Sequence, residues 1–176
     1  MSEIIMNKTM VKLLDKFNVS KISVKNIGLK INEIINIVKN NDCFILIIDE
    51  NELVEYSNEF IFKQFGSFSA YEDYENHIHI NDIMYYIGIK ECIFFQTLEY
   101  GLIIKDIIKN KLEEIFPNDK FIIVLSCDET DKRNTILRFY KYREDEEELY
   151  DQDFINSFDI CKNKAGYIIE KINWDK

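Results

Sequence analysis

The chain has 176 residues, a formal net charge of −10 and 47% hydrophobic residues. Its length predicts a single domain over residues 1–176, and its apolar fraction is too high for an intrinsically disordered protein. The acidic excess argues against a nucleic-acid partner, since phosphate contacts need clustered lysine and arginine. The composition is rich in Ile, Lys and Asn, whose codons are AT-rich, and this bias indicates a bacterial or phage origin.

The first two thirds of the chain predict mainly amphipathic helices, because apolar residues recur there at helical spacing. Residues 52–65 are ambiguous but favour a helix, and residues 81–95 fit either a helix or a strand. In chain order the other predicted elements are a helix over 3–17, a helix over 29–40, a buried strand over 43–48, a loop over 66–76, a short strand over 77–80 and a long helix over 96–116. Pro117 is the stop signal of that last helix.

The C-terminal third predicts strands. Residues 121–125 form a short apolar run, 135–143 alternate between two faces, and 167–172 follow a glycine. Residues 127–134 are expected to be a polar connection. Helices and strands do not alternate strictly, so we expect an α+β fold, a mostly antiparallel sheet packed against amphipathic helices.

The N-terminus lacks the basic and apolar regions of a signal peptide, and no segment reaches the roughly 20 apolar residues of a transmembrane helix. We therefore expect a cytoplasmic protein that does not bind a membrane. The four cysteines, Cys43, Cys92, Cys127 and Cys161, are widely spaced and include no C-x-x-C pair. Free thiols are the expected state in that compartment.

His77 and His79 are the only histidines, and in a strand both would lie on one face. This spacing occurs in metal sites, for which Glu75 or Asp82 would be the nearest third ligand. The alternative is a pair of strand histidines with hydrogen-bonding or packing roles. We favour the alternative and expect no metal and no cofactor, with a small metal-dependent enzyme as the competing hypothesis.

Cys127 follows a buried strand, where nucleophiles occur in some α/β enzymes, and a Cys–His pair is conceivable. No nucleophile-elbow motif accompanies it, and the phosphate-binding glycine-rich loop is also missing. A small residue at a strand end is the better interpretation of Cys127, and Cys43 is expected in the core. For the three arginines, Arg133, Arg138 and Arg143, we expect internal salt bridges with the acidic run after them. The sequence therefore predicts no catalytic residue and a protein that is not an enzyme.

The negative charge is concentrated in two parts of the chain. Residues 43–99 carry a net charge of −9 and residues 144–176 a net charge of −6, whereas 1–42 and 100–143 are slightly basic at +3 and +2. Such runs are often solvated loops that keep a protein in solution. The competing interpretation is a docking surface for a basic partner, in which acids steer the encounter and tyrosines anchor it. The candidate docking residues are Glu72, Asp73, Tyr74, Glu75, Tyr142, Glu144, Asp145, Glu146, Glu147, Glu148, Tyr150, Asp151 and Asp153, with Tyr71 as a further candidate anchor.

Residues 121–129, 135–144 and 146–150 together resemble the C-terminal half of small bacterial immunity proteins from polymorphic and contact-dependent toxin systems. The resemblance covers about a third of the chain and concerns structural residues. It implies a non-enzymatic inhibitor that binds and neutralises a cognate toxin domain, here a basic toxin protein. The remaining alternative is a non-catalytic adaptor or structural protein, including a homodimer joined along a sheet edge.

Overall fold

The structure is a computed structural model that describes residues 3–16, 24–48, 55–160 and 165–174. The elements in chain order are β1 (Glu3–Met6), α1 (Lys8–Lys16), α2 (Val24–Ile34), β2 (Ile35–Asn40), β3 (Cys43–Ile48), α3 (Asn58–Phe65), α4 (Phe68–Glu75), β4 (Ile78–His79), α5 (Ile80–Tyr86), α6 (Phe94–Ile115), β5 (Phe121–Asp128), β6 (Asp131–Lys141), α7 (Gln152–Ile160) and β7 (Ala165–Ile172).

A five-stranded sheet in the order β1-β7-β5-β6-β4 is the centre of the fold, and β2 and β3 form a separate hairpin. Every strand pairing in the described part of the chain is antiparallel. Strand β5 lies in the middle of the sheet and is buried over seven of its eight residues. The predicted α+β class with an antiparallel sheet is therefore confirmed.

The sheet separates two apolar layers, because alternate residues of β5 point to opposite faces. Phe121, Ile123 and Leu125 join the larger core, to which α6 contributes its buried stripe. Ile122 and Val124 join a smaller core beneath α7. A third cluster fills the space between the β2–β3 hairpin and the helices α3 and α4.

The long helix and the buried strands follow the sequence pattern. In α6, Ile104, Ile108 and Leu112 are fully buried, and the helix ends at Ile115, shortly before Pro117. The strands predicted at 43–48 and 167–172 correspond to β3 and β7. These elements were predictable because each one buries a continuous apolar run or a regular stripe.

The N-terminal helix predictions are partly wrong. Residues 3–6 form β1, which pairs with β7 at the sheet edge, so the helix begins only at Lys8. Residues 35–40 form β2 and pair with β3 across a turn at Asn41, whose φ is +53°. Over so short a stretch, the apolar spacing of Ile35, Ile37 and their neighbours fits a strand almost as well as a helix. Pairing with β3 decided the outcome.

The predicted loop at 66–76 is also wrong, because residues 68–75 form α4. Ser67 caps this helix through its hydroxyl, which accepts a hydrogen bond from the Ala70 amide at 3.1 Å. Strands β5 and β6 extend further into the predicted 127–134 connection, to Asp128 and from Asp131. Helix α7 was not predicted. In the ambiguous stretch 81–95, the first residues are helical, because they belong to α5.

Within the described residues no helix is long and apolar enough to cross a bilayer. Cys43 and Cys127 are free thiols, as predicted, and Cys161 lies outside the described residues. Residues 49–54, with their acids and the start of the predicted helix, also lie outside the described residues.

Candidate docking surface

Glu72 does not belong to any docking surface, because its side chain is completely buried. Its carboxylate accepts hydrogen bonds from the Phe44 amide of β3 at 2.8 Å and from the Lys141 amide of β6 at 2.7 Å. Arg143 donates to both carboxylate oxygens, at 2.7 and 3.1 Å. The prediction that Glu72 is a surface acid is wrong: this carboxylate joins the hairpin, α4 and the main sheet.

Asn76 reinforces the same junction. Its amide nitrogen donates to the Phe44 carbonyl at 2.8 Å and to the Phe139 carbonyl at 3.0 Å, and its amide oxygen accepts from the Leu46 amide at 2.8 Å. Burial raises the pKa of Glu72, while Arg143 and the two backbone amides act in the opposite direction. The end of α4 is therefore fixed by buried polar contacts to two separate sheets.

Glu146 lies at the other end of α4. Its two carboxylate oxygens accept hydrogen bonds from the Phe68 and Ser69 amides at 2.9 and 2.8 Å. These amides belong to the first turn of the helix, which has no intrahelical partners for them and favours a negative charge. The contact brings the second acidic run of the sequence against the helix that carries the first.

Asp73 and Tyr150 form a further contact between the two acidic runs. The Tyr150 hydroxyl donates to Asp73 Oδ2 at 3.1 Å, and Arg138 Nε lies 3.9 Å from the same oxygen. Burial raises the pKa of Asp73, opposed by Arg138 and by the Tyr150 hydroxyl. With Glu146 at the start of α4 and Tyr150 near its end, the segment 144–151 runs alongside the helix.

The exposed acids of the two runs lie on α4, on residues 144–151 beside it and on the first turn of α7. We call them the acidic surface: Glu75, Glu144, Asp145, Glu147, Asp151 and Asp153. In the described part of the chain, Glu144 has only a 3.9 Å approach to Lys120, and Asp145 and Glu147 form no ion pair. The surface carries charge that internal partners leave largely uncompensated.

Three predicted members of this surface are engaged inside the protein instead. Glu146 caps α4, Glu148 pairs with Lys171 at 2.9 Å, and Asp73 is held by Tyr150 and Arg138. The sequence could not separate them from their exposed neighbours, because adjacent glutamates in an irregular segment give no periodic signal.

The tyrosines differ in the same way. Tyr74 is 64% exposed and lies against Phe65, with ring centroids 5.3 Å apart, so it remains available as an anchor. Tyr71 is buried. Tyr142 packs against Trp174 with centroids 4.4 Å apart, and Tyr150 is partly buried against Phe154. Of these four tyrosines, only Tyr74 is mostly exposed, as the docking hypothesis expected of an anchor.

A cleft that the sequence did not indicate opens beside the acidic surface. It has a volume of about 670 Å³ and lies between the α3–α4 corner and residues 145–149. We call it the aromatic–acidic cleft, after its lining residues Phe62, Phe65, Phe68, Asp42, Asp145 and Glu147. Phe62 is a helix residue that is half exposed, which periodicity alone could not locate next to residues 145–149.

The rings of the two histidines are tilted by 33° with their centroids 4.9 Å apart, and Arg138 lies 3.3 Å from His77 Nδ1. Burial, the Arg138 cation and the neighbouring His79 lower the pKa of His77 to about 4. Within the described residues no group of three or more His, Cys, Asp or Glu side chains could hold a metal ion. Glu75 and Asp82 therefore do not complete the metal site that the competing hypothesis needs.

Cys127 is buried, and this burial raises the pKa of its thiol to about 12. A thiol in that state is protonated near neutral pH and is a poor nucleophile. Burial has the same effect on Cys43, whose pKa is also raised to about 12. Both residues pack in the apolar clusters, in agreement with the sequence-based interpretation.

The model of a family described as "Uncharacterized protein PM0498 family" matches residues 5–161, which is most of the chain. No curated protein and no solved structure gives a significant match.

Proposed function

The chain belongs to the Uncharacterized protein PM0498 family, and we propose that it is an immunity protein that binds and neutralises a basic toxin domain without catalysis. The observation that carries this proposal is the meeting of two acidic runs, about 70 residues apart in sequence, around helix α4. The contacts of Glu146 with the Phe68 and Ser69 amides and of Tyr150 with Asp73 bring them together.

The internal contacts favour a preformed surface. Glu72 and Asn76 fix α4 to both sheets, and Glu146 fixes the 144–151 segment to α4. A rigid surface loses little conformational entropy on binding, which favours affinity. These contacts support a role in tight recognition over a role as a solvated loop.

The charge of the surface also fits the proposed partner. Exposed carboxylates that lack internal cations create a local negative potential, which raises the association rate with a positively charged protein. The exposed ring of Tyr74 at the end of α4 supplies contact area of the kind that is enriched in binding hot spots. As part of the proposal we place the protein in the bacterial cytoplasm, where a toxin made in the same cell would be met.

The test is co-expression with the product of the adjacent gene, with protection of the cell and co-purification as the two measurements. We expect the protein to protect the cell and to co-purify with that product. The triple variant E144Q/D145N/E147Q should weaken binding about tenfold or more at low salt, because each exposed ion pair contributes up to about 1 kcal/mol.

The matched control is D15N/E33Q/E91Q, which makes the same charge change at exposed acids elsewhere on the molecule. We expect the control to bind like the wild type. An adjacent product that is not toxic and does not bind would overturn the proposed function. Equal losses in the two triple variants would remove the acidic surface as the binding site. Light scattering of the purified protein separately tests the homodimer alternative.

A further inference from the structure

The aromatic–acidic cleft combines an exposed apolar wall with a charged rim. Phe62 is 49% exposed and packs edge-on against Phe68, with ring centroids 4.7 Å apart. Gly66, at φ +81°, ends α3 in the left-handed conformation and allows the chain to turn directly into α4. This turn places phenylalanines of two successive helices on one side of the cleft.

Acidic residues also line the cleft. Asp42, Asp145 and Glu147 are exposed and line the cleft. The two cations that also line it are already paired: Lys141 bonds Asp119 at 2.6 Å, and Arg143 bonds Glu72. The cleft therefore offers negative charge that no internal cation neutralises in the described part of the chain.

The inner end of the cleft already holds one guanidinium. Arg143 lies over the Phe68 ring at 5.4 Å from its centroid, and its Nη1 approaches Glu146 at 3.9 Å. A planar cation between an aromatic face and carboxylates is a favourable arrangement for arginine, which stacks on rings and bonds carboxylates in pairs. The outer part of the cleft repeats these chemical groups, with Phe62 as the ring and Asp145 and Glu147 as the carboxylates.

We infer that the aromatic–acidic cleft binds an arginine side chain of the partner, with the aliphatic stem and guanidinium against Phe62 and the charge facing Asp145 and Glu147. The inference rests on the proposed function for the identity of the partner, but the chemistry of the cleft can be tested without it. The volume of about 670 Å³ falls in the range of about 300–1,000 Å³ of ligand sites and accommodates such a side chain.

The experiment is an NMR titration of the phenylalanine-labelled full chain with the probe acetyl-Gly-Arg-Gly-amide. Two probes of similar shape serve as comparisons, one with citrulline, which is uncharged, and one with lysine. We expect the ring signals of Phe62 and Phe65 to shift with the arginine probe and to saturate. The citrulline probe should bind at least about fivefold more weakly, and the lysine probe should fall between the two.

Three variants locate the binding. F62A should weaken the arginine probe about two- to fivefold, the equivalent of an exposed cation–π contact of about 0.5–1 kcal/mol. D145N/E147Q should weaken it up to about tenfold. The matched control D15N/E33Q makes the same charge change at exposed acids that neither line the cleft nor belong to the acidic surface, and it should weaken the probe less than about twofold.

The inference is overturned if citrulline binds as well as arginine, if the two double variants lose affinity equally, or if no cleft phenylalanine shifts. The outcomes also separate the inference from the proposed function. If the cleft binds arginine but the adjacent gene product is not toxic, the inference about the cleft is supported and the proposed immunity function is wrong. If toxin binding depends on the acidic surface but F62A does not change it, the inference about the cleft is wrong and the proposed function still holds.

Discussion

Glu72 and Glu170 are two buried carboxylates that neutralise their charge in different ways. Glu72 accepts from one arginine and from backbone amides of two different sheets. Glu170, in β7, is 1% exposed and pairs with Lys105 and, at 2.6 Å, with Lys109, both from α6. One carboxylate connects several elements at a junction, and the other connects one helix to one strand.

The difference indicates how each buried charge relates to function. The Glu72 junction lies beneath the acidic surface, since Arg143 leads directly into residues 144–148 and α4 carries Asp73 to Glu75. The Glu170 cluster lies between α6 and the sheet, away from those residues. Substitution of Glu72 should therefore lower both the stability of the fold and the binding affinity, whereas substitution of Glu170 should lower stability alone.

The largest expected effect follows from Glu72→Gln. The substitution leaves the buried Arg143 with the more distant Glu146, 3.9 Å away, as its counter-charge and weakens two backbone hydrogen bonds. We therefore expect a loss of about 3–4 kcal/mol in the free energy of unfolding. Urea denaturation measures this loss. Glu75→Gln, at an exposed site on the same helix, is the control and should change stability by less than about 0.5 kcal/mol. A Glu72→Gln protein as stable as wild type would show that the junction contributes little.

Glu170→Gln should cost about 2–3 kcal/mol at pH 7, somewhat below the usual range for a broken buried pair. Lys105 retains Asp106 as a partner at 2.7 Å, and the Lys109 side chain is partly exposed to water. Binding of the arginine probe should not change. Loss of probe binding in this variant would contradict the division between the two carboxylates.

The pH dependence of the Glu170 effect has a defined sign. Burial alone would raise the pKa of Glu170, but hydrogen bonds and charges from Lys105 and Lys109 outweigh burial and lower it below its ordinary 4.5. Its contribution is therefore present above the unfolded-state pKa and is lost as the pH falls through the folded-state pKa. The stability difference between wild type and Glu170→Gln should accordingly be full at pH 7 and shrink as the pH falls below the ordinary pKa of 4.5.

The smallest effect is expected at the helix cap. Glu146→Gln keeps the shape of the side chain but loses the negative charge at the start of α4, so we expect a loss of about 1 kcal/mol. Glu147→Gln, one residue later and exposed, is the matched control for stability. In the probe titration the order should be reversed: Glu147→Gln should lower the affinity for the arginine probe more than Glu146→Gln does. Thermal unfolding and the arginine titration measure the two properties, and equal stability of the two variants would remove the capping role.

Periodicity predicted the elements that bury continuous apolar runs, such as α6 and the start of β5. It failed where a short segment satisfied two patterns, as at residues 35–40, or where a helix buries few apolar residues, as in α4. In the candidate site it identified the acidic runs but not their roles. Glu72 is fully buried whereas Glu75 is exposed, yet nothing in the local sequence distinguishes them.

The sequence by itself determined the fold class and the concentration of negative charge in two parts of the chain, because these depend on composition and on local apolar spacing. Only the tertiary structure decided which carboxylates remain at the surface. That outcome depends on cations and backbone amides contributed from distant parts of the chain: Arg143 and β3 for Glu72, and α6 for Glu170. The same long-range packing brought Phe62, Asp145 and Glu147 to the lining of one cleft.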